Sequence, residues 1–194
     1  LSKGLYFKRE LNIFKSNVHP ISFAIPKFKI KKNISQKKSF LLSPLIPGKL
    51  KTYIYEDEQN YNIMYQNSIF ALTYKKAGWD CFRHYEILMN GCIPFFLDLE
   101  NCPKLTINNF PKKKILDINR KYETILSYYN PFQIFKKKFL NIKRINKFFT
   151  YKFKKLEPQK YFEENDELLN CKIDLLDYTK KNLTTENLGN YLID

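Results

Sequence analysis

The sequence predicts an α/β chain: a Rossmann-like open parallel sheet over residues 1–130, followed by a helical tail over residues 131–194. Three observations carry this. Short apolar runs alternate with stretches of helical periodicity. One such unit, Ser68 to Leu97, reads as strand, loop, helix and strand with almost no slack. Beyond Pro131 the alternation gives way to helical spacing alone.

The elements follow in order. Ile21 to Ile25 reads as a strand closed by Pro26, and basic, polar Lys27 to Lys38 as a loop. Ser39 to Leu42 is an apolar run stopped by Pro44, Pro47 and Gly48. Thr52 to Tyr55 is ambiguous. Glu56 to Asn67 reads as a helix with acidic residues in its first turn and Tyr61, Met64 and Tyr65 on one side. Ser68 to Thr73 is a short apolar run bounded by polar residues, hence a buried strand. Lys75 to Trp79 is a basic loop. Asp80 is read as an N-cap, and Cys81 to Asn90 carries Phe82, Tyr85, Leu88 and Met89 at helical spacing. Gly91 ends that helix, as a glycine just past a helix does, and Ile93 to Leu97 is the next strand. Asp98 to Pro103 is a polar loop, Lys114 to Ile118 a further strand, and Arg120 to Tyr129 a helix. Strands joined by helices lie parallel, with right-handed crossovers.

In the tail, Phe132, Phe135, Phe139, Ile142 and Ile145 fall three or four apart on one helical face. Residues 131–160 hold ten Lys or Arg and one acidic residue, so they supply nine of the fifteen net positive charges. Glu163 to Tyr178 is an acidic amphipathic helix with Leu168, Leu169, Leu175 and Leu176. Thr184 or Thr185 caps a last short helix with Glu186 in its first turn and Leu188, Tyr191 and Leu192 as its apolar side. There is no internal repeat.

Composition bounds the function classes. The chain of 194 residues is 44% hydrophobic and 16% aromatic, enough for one domain with a sizeable core. Its net charge is +15, but abundant Lys, Asn, Ile, Tyr and Phe also follow from AT-rich coding, so the basic excess is a weak functional signal. Cys81, Cys92, Cys102 and Cys171 form no C-x-x-C pair, and only His19 and His84 accompany them, which argues against structural zinc. A helix of about ten residues, ~15 Å long, separates Cys81 from Cys92, too far for a mutual disulfide. A reducing, cytoplasmic setting fits, with peripheral membrane contact as an option. No signal-peptide pattern and no apolar run long enough to span a bilayer is read in this sequence. The chain begins at Leu1, so a fragment, a processed form or a domain of something longer is expected.

The ligand end of such a sheet lies beyond the carboxyl ends of its strands. There the Lys75–Asp80 loop meets the start of a helix, and helix N-termini favour anions, so a phosphate or diphosphate is the expected guest. Arg83 and Glu86, three apart, form either an intrahelical ion pair worth little or a site in which Arg83 meets a phosphate and Glu86 accepts from ribose hydroxyls. Both readings stay open. Asp80 is an N-cap or a sugar contact; Trp79 a core or hinge residue or a stacking platform; Lys75 and Lys76 solvated loop charges or diphosphate contacts; His84 a structural or exposed histidine. No Ser-His-Asp arrangement and no glycine-rich phosphate loop occurs. The loop Asp98–Pro103, at the end of the strand Ile93–Leu97, is a second place for ligand contacts. The basic helix Phe132–Tyr151 is read as packed on the sheet, with membrane-surface binding second and nucleic-acid binding third.

The strand Ser68–Thr73, the run Gly78-Trp79-Asp80-Cys81-Phe82-Arg83-His84-Tyr85-Glu86, the turn Gly91-Cys92-Ile93-Pro94 and Asn101-Cys102-Pro103 together resemble the C-terminal, donor-binding half of exostosin-like glycosyltransferases of the GT-B type. Leu183-Thr-Thr-Glu186 resembles the ends of such proteins. The clear match spans roughly residues 40–110. The resemblance implies transfer of a sugar from a nucleotide-sugar donor to a glycan acceptor in polysaccharide or glycan synthesis, usually with no bound metal and no cofactor beyond the donor. It puts Arg83 at the diphosphate, Glu86 at the ribose or sugar hydroxyls, and the loop Tyr74–Asp80, with Lys75, Lys76 and Trp79, over the donor. The family's enzymes pair two Rossmann-like halves. This chain is long enough for one, so the acceptor site and catalytic base are expected from an N-terminal half, and no catalytic residue is assigned here. The rival from another class is a non-catalytic basic module that binds an anionic membrane or nucleic acid through Phe132–Lys160. A transferase remnant that keeps the fold without activity is the third reading.

Overall fold

The computed structural model describes residues 4–34, 38–123 and 166–193. The basic helix expected over Phe132–Tyr151, most of the helix expected over Arg120–Tyr129, and residues 163–165 of the acidic helix lie outside them.

The architecture is mixed α/β, built on two small parallel sheets. Strands β3 (Phe40–Leu42), β4 (Ser68–Thr73) and β5 (Ile93–Phe96) form a sheet in the order β3-β4-β5. All pairings are parallel: Phe40 faces Ser68, and Phe70 to Thr73 face Ile93 to Phe96. Helix α1 (Glu58–Gln66) connects β3 to β4, and α2 (Phe82–Met89) connects β4 to β5. This is the parallel strand–helix–strand arrangement expected of the sequence. A second sheet pairs β1 (Tyr6–Lys8) with β2 (Val18–Pro20). Helices α3 (Lys112–Lys121), α4 (Asp166–Asn182) and α5 (Thr185–Ile193) complete the described residues.

Local chemistry explains the element ends. Asp57 caps α1, its carboxylate accepting from the Asn60 N–H at 2.7 Å. Gly91 follows α2 in the left-handed region (φ +65°), where a Cβ would meet the Ile34 Cγ1 at 3.2 Å. Thr184 caps α5, its hydroxyl accepting from the Asn187 N–H at 3.3 Å. All six residues of β4 are buried, as in a parallel strand covered on both faces.

Two expected strands are corrected. Ile21–Ile25 is not a strand. Its amides go to three places: the Ile21 N–H to the Lys8 carbonyl, the Phe23 N–H to the Asp80 carboxylate and the Ile25 N–H to the Leu183 carbonyl. Only Ile25 forms a bridge, to Thr184. Lys114–Ile118 lies within helix α3, where Ile115, Ile118 and Tyr122 turn inward at intervals of three and four. Among the described residues the main sheet therefore has three strands.

The main core gathers Phe70 and Leu72 of β4, Ile93 of β5, Tyr85 and Leu88 of α2, Ile115 of α3, and Leu168, Leu175 and Leu176 of α4. A smaller cluster holds Leu45, Met64, Tyr65, Ala71, Ile87 and Cys92. Helix α2 contributes to both. Two lysines are buried at the amino end of the sheet: Lys172 of α4 donates to the Ser68 carbonyl at 3.1 Å, and Lys38 donates to that of Gln66. Burial, reinforced by the neighbouring Lys38, holds the Lys172 amine well below its ordinary value. Among the described residues no helix is long and apolar enough to cross a membrane.

Truncating the central strand tests this arrangement. Phe70→Ala should cost about 3–5 kcal/mol in urea unfolding, whereas Leu50→Ala, at a side chain 86% exposed, should cost less than about 0.5 kcal/mol. Comparable losses would contradict the placement of β4.

Candidate functional site

The carboxyl edge of the main sheet is shaped by how α2 is tied to β4. Thr73, the last residue of β4, places its hydroxyl 2.8 Å from His84 Nδ1 on the first turn of α2. The imidazole is fully buried, its ring centroid 4.4 Å from that of Phe96, and its Nε2 has no hydrogen-bond partner. Burial pushes it down to about 4, so it is a neutral structural histidine.

Asp80 does not cap α2. The N-cap position belongs to Cys81, whose side chain makes no capping bond. The Asp80 carboxylate is instead the hub of a buried network. It accepts from Arg9 Nε at 2.8 Å, the Phe23 N–H at 3.1 Å and the Tyr85 hydroxyl at 3.0 Å. Arg9 also donates to the Asp80 carbonyl at 3.0 Å, and Glu10 accepts from the Asp80 N–H. Burial raises the Asp80 carboxyl, while Tyr85, Arg9 and the Phe23 N–H pull it down. With its side chain 0% exposed, Asp80 fastens the N-terminal arm to the loop and turns no face to a sugar in this structure. Gly78 lets the arm approach: a Cβ there would lie 2.8 Å from Glu10 Oε1.

The rest of the loop divides between core and surface. Trp79 is buried against Phe96, ring centroids 6.3 Å apart, with the Lys75 amine 5.1 Å from the indole centroid. It is a core residue of this loop, the first of the two readings open for it, and not a stacking platform in this structure. Lys75 and Lys76 are exposed, and the Lys75 N–H donates to Asp98 at 3.2 Å. The half-buried Tyr74 donates to the Pro47 carbonyl at 2.9 Å, which links the loop after β4 to that after β3.

Arg83 and Glu86 lie on the first turns of α2, both half-buried. They form no ion pair with each other; the ion pairs among the described residues involve other side chains. Arg83 Nη2 donates to the Tyr53 hydroxyl at 2.9 Å, and the guanidinium lies 5.6 Å from the Tyr53 ring centroid. Its Nε is buried without a hydrogen-bond partner. Glu86 Oε2 accepts from the Tyr61 hydroxyl at 2.8 Å, and Tyr61 lies 3.2 Å from the Tyr65 hydroxyl. Burial raises the Glu86 carboxyl, against the pull of Tyr61 and Arg83. Burial, with Glu86 acting in the same direction, pushes Tyr61 up to about 12. The arrangement presents a cation with an unused donor beside a carboxylate with one oxygen tied, suited to an anion joined to a hydroxyl-bearing group.

The structure thus brings Arg83 and Glu86 to one edge, with Tyr74, Lys75 and Lys76 on the loop preceding their helix, and commits Asp80 and Trp79 to the fold. Sequence reading missed Tyr53, Arg9 and Glu10, and placed Tyr61 on one side of its helix without a role. The tyrosine pair at i, i+4 is the one local signal, since two phenols on a buried helix face require polar partners. Among the described residues no three His, Cys, Asp or Glu side chains cluster as metal ligands, and all four cysteines are free.

Two outcomes are expected. Asp80→Ala should cost about 2–4 kcal/mol in chemical unfolding, because the Phe23 N–H and the buried Tyr85 hydroxyl lose their acceptor. His84 takes up a proton near pH 6.5 when unfolded and near 4 when folded, so the unfolded state binds more protons between those values. Stability should fall as pH drops from 6.5 to 4, by about 3 kcal/mol from this group. His84→Gln should flatten that slope in pH-dependent melts; an unchanged slope would contradict the assignment. Comparison with protein-family models, curated proteins and solved structures returned no match for this chain.

Proposed function

We propose that this chain supplies the donor-binding half of a glycosyltransferase of the exostosin-like, GT-B kind, holding a nucleoside-diphosphate sugar at the carboxyl edge of β3–β4–β5. The observation that carries the reading is Arg83: half-buried on the first turn of the helix that follows the central strand, not neutralised by Glu86, and with a buried Nε lacking a partner. A guanidinium is the preferred cation for phosphate oxygens, since its fork matches their geometry. The start of α2 adds the favourable end of a helix dipole.

Within this reading Arg83 faces the diphosphate, and Glu86 accepts from ribose or sugar hydroxyls. Lys75 and Lys76, exposed on the loop, add charge over the donor, and Tyr74 holds that loop to Pro47. Asp80 and Trp79 serve indirectly, by fixing the loop. The glycan acceptor and the catalytic base belong to a second half, and the transferred sugar passes between the two.

Purified protein is screened by calorimetry against UDP, GDP, CMP and their common sugar conjugates. One nucleotide should bind, and Arg83→Ala should weaken it at least tenfold, since a hydrogen bond to a charged group contributes about 1.5–3 kcal/mol. Glu86→Ala should weaken it while leaving the melting temperature of the free protein within a few degrees. Binding that survives Arg83→Ala unchanged would remove this edge as the donor site.

A further inference from the structure

Two phenols and a carboxylate form a ladder between α1 and α2. Tyr61 and Tyr65 stand one turn apart on α1, their rings edge to face at 5.0 Å. The Tyr65 side chain is 1% exposed, and its hydroxyl lies 3.2 Å from that of Tyr61, which in turn lies 2.8 Å from Glu86 Oε2. An ionised carboxylate can only accept, so Tyr61 spends its single proton on Glu86, and Tyr65 donates to Tyr61. Below this ladder, Asn90 of the turn ending α2 donates to the Glu86 carbonyl and to Asn62, and accepts from Gln66. The two helices are thus joined by a polar seam along the side that carries Glu86.

We infer that Tyr61 is a positioning residue for Glu86, tying Oε2 and leaving Oε1 to accept from a ribose hydroxyl of the ligand. This rests on the donor-site reading above. Without the tie, Glu86 would face the desolvation of its half-buried position with less compensation and would turn freely about its side-chain bonds. The other charged groups that act on it are Arg83 on its own helix, Glu58 on α1, and Lys29 on the turn beside α1, the last two paired with each other at 2.6 Å. Tyr61→Phe leaves these groups in place and removes only the hydroxyl, which meets Arg83 as well as Glu86.

The test has a readout with ligand and one without. In carboxyl-carbon NMR of the full chain, with Glu86→Gln assigning the signal, the Glu86 titration midpoint should rise by a pH unit or more in Tyr61→Phe, as loss of a donor to the ionised form requires. In calorimetry across pH 5–8, Tyr61→Phe should weaken UDP or GDP, whichever binds, five- to fifty-fold, and the pH dependence should move upward in step. The 2′,3′-dideoxy analogue of that nucleotide, which lacks both ribose hydroxyls, should be insensitive to the substitution. An unmoved titration midpoint overturns the inference. So does a moved midpoint with unchanged nucleotide affinity, or an equal loss for the dideoxy analogue; in these cases an Arg83→Ala effect keeps the donor reading standing. If neither nucleotide binds the wild-type chain, the donor reading falls and this inference falls with it.

Discussion

The burial of β4 is the constraint on which the rest of the structure depends. β4 is bonded to a strand on each edge and every residue from Ser68 to Thr73 is buried, so both of its faces must be covered as well. At its amino end the Ser68 carbonyl receives the Lys172 amine, which draws α4 onto the sheet. At its carboxyl end the Thr73 hydroxyl meets His84, which fixes the first turn of α2 above the sheet edge. One strand therefore anchors both the C-terminal helices and the turn that carries Arg83.

The polar groups are used in a consistent way. Asp80, which fastens the fold, is buried and engaged by Arg9, Phe23 and Tyr85. Those proposed to meet a ligand are half-buried and partly engaged: Arg83 spends one nitrogen on Tyr53, and Glu86 spends one oxygen on Tyr61. Partial burial strengthens electrostatic interactions relative to water without the full cost of desolvation.

The strand–helix–strand unit was legible in the sequence because its signals are local. An apolar run, helical spacing from Phe82 to Met89, and Gly91 past the helix each act within a few residues. The same holds for the acidic start of α1 and the threonine ahead of α5. What the sequence hid depends on distant partners. Asp80 looks like a cap to its neighbours in the chain, but its partner Arg9 lies 71 residues away. Ile21–Ile25 has strand composition but divides its amides among three separate partners. Lys38 closes a stretch read as a basic, polar loop and Lys172 falls in a helix read as acidic and amphipathic, yet both are buried. Of the candidate site, the spacing of Arg83 and Glu86 put them on one helical face but left an ion pair and a ligand site both open. Tyr53 and Tyr61, which hold them, were not legible, since each contacts α2 from 25 to 30 residues away.

The central claim is that a nucleoside diphosphate sits at the start of α2, and backbone amide NMR tests it most directly. The account predicts that titrating UDP or GDP into labelled protein shifts the amides of residues 74–86 and of Tyr53, with the far end of the sheet around Ser68 and Lys172 unmoved. Saturable shifts confined to another surface, or none with either nucleotide, would contradict it.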